Sequence, residues 1–132
     1  MKILKIATIS LVVASSLLAN QVPQISQDMR TMLNAMESIQ RAGFYNDTEG
    51  MKSGVVKLKA GLQSLITTDA KSYLPDDQAY ANKFAQKRAK MIEMYANDLV
   101  ESLKNNKLDD ALVDYTQILK ECTSCHTRIR NW

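Results

Sequence analysis

Residues 108–129 read LDDALVDYTQILKECTSCHTRI, and the spacing inside this stretch decides the fold. Leu108, Leu112, Tyr115, Leu119, Cys122, His126 and Ile129 recur at steps of three or four, the period that gathers side chains on one face of an α-helix. A half-buried strand would alternate at two instead. One amphipathic helix is therefore expected to begin after the break at Asn105-Asn106-Lys107 and to run through the whole stretch. Its last two turns place two cysteines and a histidine on positions that the pattern assigns to the core.

Cys122-Thr123-Ser124-Cys125-His126 is a CxxCH pentad that holds both cysteines and the single histidine of the 132-residue chain. On a helix, positions i, i+3 and i+4 share a face. Two thiols can then add to the two vinyl groups of a haem while the adjacent imidazole reaches the iron, so the pentad reads as a covalent c-type haem site with His126 as proximal ligand. Three other chemistries fit less well. A closed zinc site needs four ligands, and no further cysteine or histidine exists. A thioredoxin-like CxxC dithiol follows a strand in a βαβ setting, whereas a helical pattern precedes this one. A structural disulfide leaves the histidine unexplained and joins residues too close to staple distant segments.

Outward from this helix the composition stays helical, with four glycines and two prolines in the chain. A first helix is expected from about Pro23 to Ala42, ended by Gly43, with an apolar stripe of Ile25, Met29, Met32, Leu33, Met36 and Ile39. A second follows Asn46-Asp47-Thr48-Glu49, where Asn46 and Glu49 have capping-box spacing, and buries Met51, Val55, Leu58, Leu62, Leu65 and Ile66 before fading near Thr68. Asp76, after Pro75, is the expected cap of a third helix facing inward through Ala81, Phe84, Ala85, Ile92, Tyr95, Leu99 and Leu103. Four such helices joined by mostly short links make an all-α, antiparallel four-helix bundle, and the stripe places the covalently bound haem inside it. A chain this small gains much of its core from such a group, so the haem-free form is expected to pack loosely.

Lys2 and Lys5 precede an apolar run from Ile6 to Leu18 that ends at Ala19. Residues 1–19 are expected to be a cleaved secretory signal peptide, although Leu17 stands where a small residue is preferred upstream of that cut. The run is too short and too hydroxyl-rich for a membrane span, so the mature chain, residues 20–132, is expected to be a single periplasmic domain with no stable membrane insertion. Loss of Lys2 and Lys5 lowers the formal charge from +3 to +1, which implies no nucleic-acid partner. Export and the pentad agree, since c-type haem is attached outside the bacterial cytoplasmic membrane.

With these features in place the chain resembles the class II cytochromes c, the cytochrome c′ family, four-helix bundles whose CxxCH lies near the end of the last helix. The family commonly has an arginine four residues after the histidine, the place of Arg130 here. The resemblance spans the mature chain in helix order. It implies one heme c, bound through Cys122 and Cys125, with His126 and a first-helix residue on opposite sides of the iron. Methionine there gives a low-spin member; leucine, phenylalanine or tyrosine gives a five-coordinate one. The family's first-helix pattern, in which the axial-side residue is followed three positions on by a methionine, implies Met29 as the ligand. Met32 and Met36 are the other candidates, and a methionine stripe also serves as adaptable core filler. Where the family usually has an arginine for a propionate, four residues before the ligand position, this chain has Ile25; Arg30, Arg88 or Arg130 is left to supply that charge.

A histidine–methionine pair fills both axial positions and raises the haem potential. The expected function is therefore single-electron transport between redox partner proteins. No second histidine exists to act as a distal acid or base, so an enzyme is not expected. A five-coordinate form binding nitric oxide or carbon monoxide is the alternative, and a CxxC thiol–disulfide protein the remote one. The family resemblance also allows a homodimer.

Overall fold

The computed structural model describes residues 24–68, 74 and 81–129. The signal segment, Pro23, Asp76 and Arg130 lie outside the described residues. Four helices and no strands appear among the described residues: α1 (Gln24–Phe44), α2 (Thr48–Thr67), α3 (Ala81–Lys104) and α4 (Leu108–Ile129). None of them is long and apolar enough to cross a membrane.

Two hairpins carry the fold, and one backbone device closes both. Asn46 and Asn106 adopt left-handed φ values of 54° and 56°, which asparagine tolerates better than most residues. Around Asn46, the amide of Asn46 donates to the Gly43 carbonyl at 3.1 Å and that of Asp47 to Ala42 at 2.9 Å; around Asn106, Asn106 donates to Leu103 at 3.2 Å and Lys107 to Ser102 at 2.9 Å. These paired bonds form a Schellman ending each time. The next residue already begins the following helix, since Asp47 and Lys107 accept from Met51 and Ala111. Gly43 therefore does not end the first helix, which continues to Phe44. Nor does Asn46 cap the second: the Asp47 carboxylate accepts from the Gly50 amide at 2.9 Å, because Asn46 is used as the left-handed stop.

Within the first hairpin, Gly54 and Gly61 let α1 and α2 approach closely. A Cβ at Gly54 would lie 2.5 Å from Ile39 Cγ1, and one at Gly61 2.7 Å from Met32 Cγ. In the second, Ser102 donates to Asp114 at 3.2 Å and Arg88 to Glu121 at 2.6 Å, which sets α3 antiparallel to α4. The hairpins join through α2 and α3, where Lys59 donates to Asn97 at 2.7 Å. One core runs through Met36, Ile39, Leu58, Leu62, Leu99 and Ile118. Among the described residues α1 and α4 make no extended contact, so theirs is the loosest of the four seams.

That loose seam changes the expected faces. Leu33 is 58 % exposed, and on α4 the buried residues are Ala111, Ile118 and Glu121, whereas Leu112 and Leu119 are 61 % and 46 % exposed and Leu108 is also exposed. The leucines of the fourth-helix stripe thus lie on a flank of the bundle, while Tyr115 and Cys122 of the same stripe are half-buried against the core and Asp114 and Glu121 face α3. Phe84, Tyr95 and Ile66 are half-buried rather than fully inward.

Candidate functional site at the open seam

Met29 on α1 and His126 on α4 meet across 97 residues of sequence, with His126 Nε2 3.5 Å from Met29 Sδ. With its proton on Nε2 the ring donates to the thioether, a weak acceptor. Helical geometry then orients the seam. At 100° per residue, Leu108, Leu112 and Leu119 stand within about 40° of His126 around α4, and Leu33 stands about 40° from Met29 around α1. The exposed leucines therefore border the same gap that the methionine and histidine bridge.

The three first-helix methionines separate here. Met32 and Met36 are buried in the core, Met32 beside Gly61, whereas Met29 is half-buried and touches His126. Residues on either side of Met29 are tied to neighbouring structure. The Asp28 carboxylate accepts from Gln24 Nε2 at 2.9 Å and from the Ser64 hydroxyl of α2, and Gly61 brings α2 against the Asp28 carbonyl. Sequence patterning did not single out Asp28 or Ser64, since a polar pair between helices leaves no periodic trace.

Cys122 and Cys125 are half-buried free thiols with no disulfide between them. Burial, then the neighbouring Cys125, pushes the Cys122 thiol up to about 11, and burial raises Cys125 as well. Cys122 also packs against the core cluster, so the pentad sits at the edge between core and seam. No group of three or more His, Cys, Asp or Glu able to hold a metal ion occurs among the described residues.

Behind the pentad, Glu121 is 3 % exposed and paired with Arg88, whose Nε is buried without a hydrogen-bond partner. The Arg88 and Arg128 guanidinium groups lie 4.8 Å and 5.2 Å from the centroid of the Phe84 ring. Arg88 is therefore engaged by Glu121 on the α3 side, and Arg30 is exposed. The buried Glu121 was not expected; its only sequence signal is the basic residue on the facing helix, which becomes visible once α3 and α4 are paired. Comparison of the chain with protein-family models, with curated proteins and with solved structures found no match.

Proposed function

We propose that the chain is a periplasmic c-type cytochrome that carries single electrons through one covalently attached haem seated at the α1–α4 seam. The observation that carries this reading is the Met29–His126 contact at 3.5 Å, which brings a thioether of α1 to the imidazole that follows two free thiols in the α4 sequence; the pair would part to admit an iron between them. The fit rests on the donor set and the gap. Cys122 and Cys125 would form the thioethers, His126 and Met29 would ligate the iron, and half-exposed Leu33, Leu112 and Leu119 would offer it an apolar lining. When bound, the group supplies a ferric–ferrous couple whose potential a methionine ligand raises. Asp28, Ser64 and Gly61 hold the backbone around Met29 in place, and the leucines would shield a bound group from water. The raised Cys122 thiol speaks against a dithiol oxidoreductase, which needs an accessible thiolate near neutral pH. Arg130 remains the proposed propionate partner, on the match of a guanidinium fork to a carboxylate.

The test is to express the chain with a c-type maturation system and record its mass and visible spectrum, oxidised and reduced. Expected are the mass of one haem beyond the polypeptide, a low-spin spectrum, and a sulfur–iron charge-transfer band that Met29→Ala abolishes. A colourless product rejects the haem. A high-spin ferrous form that binds carbon monoxide at once, unaffected by Met29→Ala, rejects methionine ligation and installs the gas-binding alternative.

A further inference from the structure

The α3–α4 hairpin is electrically polarised along its length. The pairs Phe84/Arg128, Arg88/Glu121 and Ser102/Asp114 place residues 81–90 beside 120–129, at the end where Met29 meets His126. Those two segments carry six basic residues against one acid, whereas residues 91–119, which include the turn at Asn106, carry six acids against two bases. The acidic end is partly neutralised from within, by Lys104 to Glu101 at 3.6 Å and Lys107 to Asp110 at 3.7 Å. At the basic end Lys83, Lys87 and Lys90 are exposed and make no ion pair among the described residues.

A lysine row on the outer face of a helix is ordinarily just a solvated surface. Two features set this row apart. It lies at the end of the hairpin that carries Cys122, Cys125 and His126, and its lysines rim a shallow depression of about 390 Å³ that Met91 and Met94 also line. Met94 is 47 % exposed. Methionine adapts its shape to a partner, and a basic rim around a small apolar patch suits a transient, electrostatically guided encounter.

We propose that Lys83, Lys87 and Lys90, with Met91 and Met94 between them, form the docking face for the carboxylate-rich surface of a redox partner protein. This rests on the haem reading above. In the docked pair one electron passes between the group at the seam and the partner's own one-electron centre, one being oxidised as the other is reduced, with no bond or proton changing hands. The chain from Asn20 onward has a formal charge of only +1, so attraction of an anionic surface comes from the placement of the lysines rather than from net charge.

The experiment uses the reduced, haem-loaded chain in stopped flow with two oxidants of opposite charge, hexacyanoferrate(III) and tris(phenanthroline)cobalt(III). Lys87→Glu/Lys90→Glu is compared with the charge-matched Lys52→Glu/Lys57→Glu on α2. The hexacyanoferrate rate is expected to fall about tenfold between low and high salt and about fivefold in the α3 variant, with less than about a twofold change in the α2 variant; the cobalt complex should show the opposite trend. In a parallel titration of the full chain with poly-L-glutamate, amide shifts should begin at residues 83–94. Equal effects of the two variants, or shifts centred elsewhere, would overturn the docking face. So would binding to phosphatidylglycerol vesicles with no response to poly-L-glutamate, which would make the surface a membrane contact. A colourless preparation defeats the haem reading alone, because the poly-L-glutamate titration scores the surface without any haem.

Discussion

Ser64 and Asp28 show how little of the chain decides where Met29 sits. Their hydrogen bond ties α2 to the residue before Met29. Removing it in Ser64→Ala forfeits about 1 kcal/mol, and if half of that or more falls on the placement of Met29, the ligated fraction shifts up to about fivefold toward the open form. The expected outcome is a weaker sulfur–iron band and faster carbon monoxide binding in the ferrous protein, with the helical circular dichroism unchanged. At Cys122 the thiol raised to about 11 from the usual range near 9 makes a second forecast. The folded, haem-free chain keeps its proton where the unfolded chain loses it, so this group's contribution to stability falls as pH rises from about 9 to 11. At pH 8 the folded thiol carries much less thiolate, and its alkylation by iodoacetamide should be clearly slower than in urea. The pentad was legible because its chemistry is written in adjacent letters. Asp28, Ser64 and Glu121 were not, because each acquires its role from a partner 33 or more residues away.

At the scale of elements, periodicity located all four helices and the break at Asn105-Asn106-Lys107. The expected inward faces of α2 and α3 are the buried ones, as are Met32, Met36 and Ile39 on α1; what periodicity missed was the flank that α4 turns inward and the exposure of Leu33. Leu33, Leu112 and Leu119 are apolar at helical spacing, yet the faces actually buried on α1 and α4 are centred on smaller or isolated residues such as Ala35, Ala111 and Ile118. Alanine and glycine carry little hydropathy signal but set how near two helices can come. Gly54 and Gly61 divide this task. Gly54→Ala drives a methyl against the buried Ile39, an overpacking cost of about 1–3 kcal/mol, offset by about 1 kcal/mol of better helix propensity. A net loss of about 1 kcal/mol should lower the melting temperature by about 4–8 °C and leave the haem spectrum unchanged. Gly61→Ala pushes instead on Met32 and the Asp28 carbonyl, on either side of Met29. It should lose comparable stability and also weaken the sulfur–iron band, a difference that thermal melts and visible spectra recorded on both variants will resolve.

For the molecule as a whole, three seams pack closely and the α1–α4 seam is the loosest, so two hairpins are joined chiefly along α2 and α3. An apolar flank left in water is ordinarily a cost, at about 25 cal/mol for each Å² that remains uncovered. The seam is therefore where a large apolar group contributes most, and Leu119 separates its two states. Leu119 is 46 % exposed, so Leu119→Asp removes little burial and should change the stability of the polypeptide without haem by about 0.5 kcal/mol or less. In the loaded protein the same carboxylate would face the bound group away from water, where an unpaired charge costs several kcal/mol. Chemical denaturation of both forms, with wild type beside variant, should therefore show a small shift without haem and a large one with it. Equal shifts in the two forms would place the group elsewhere than the α1–α4 seam, whatever the spectrum says about its ligands.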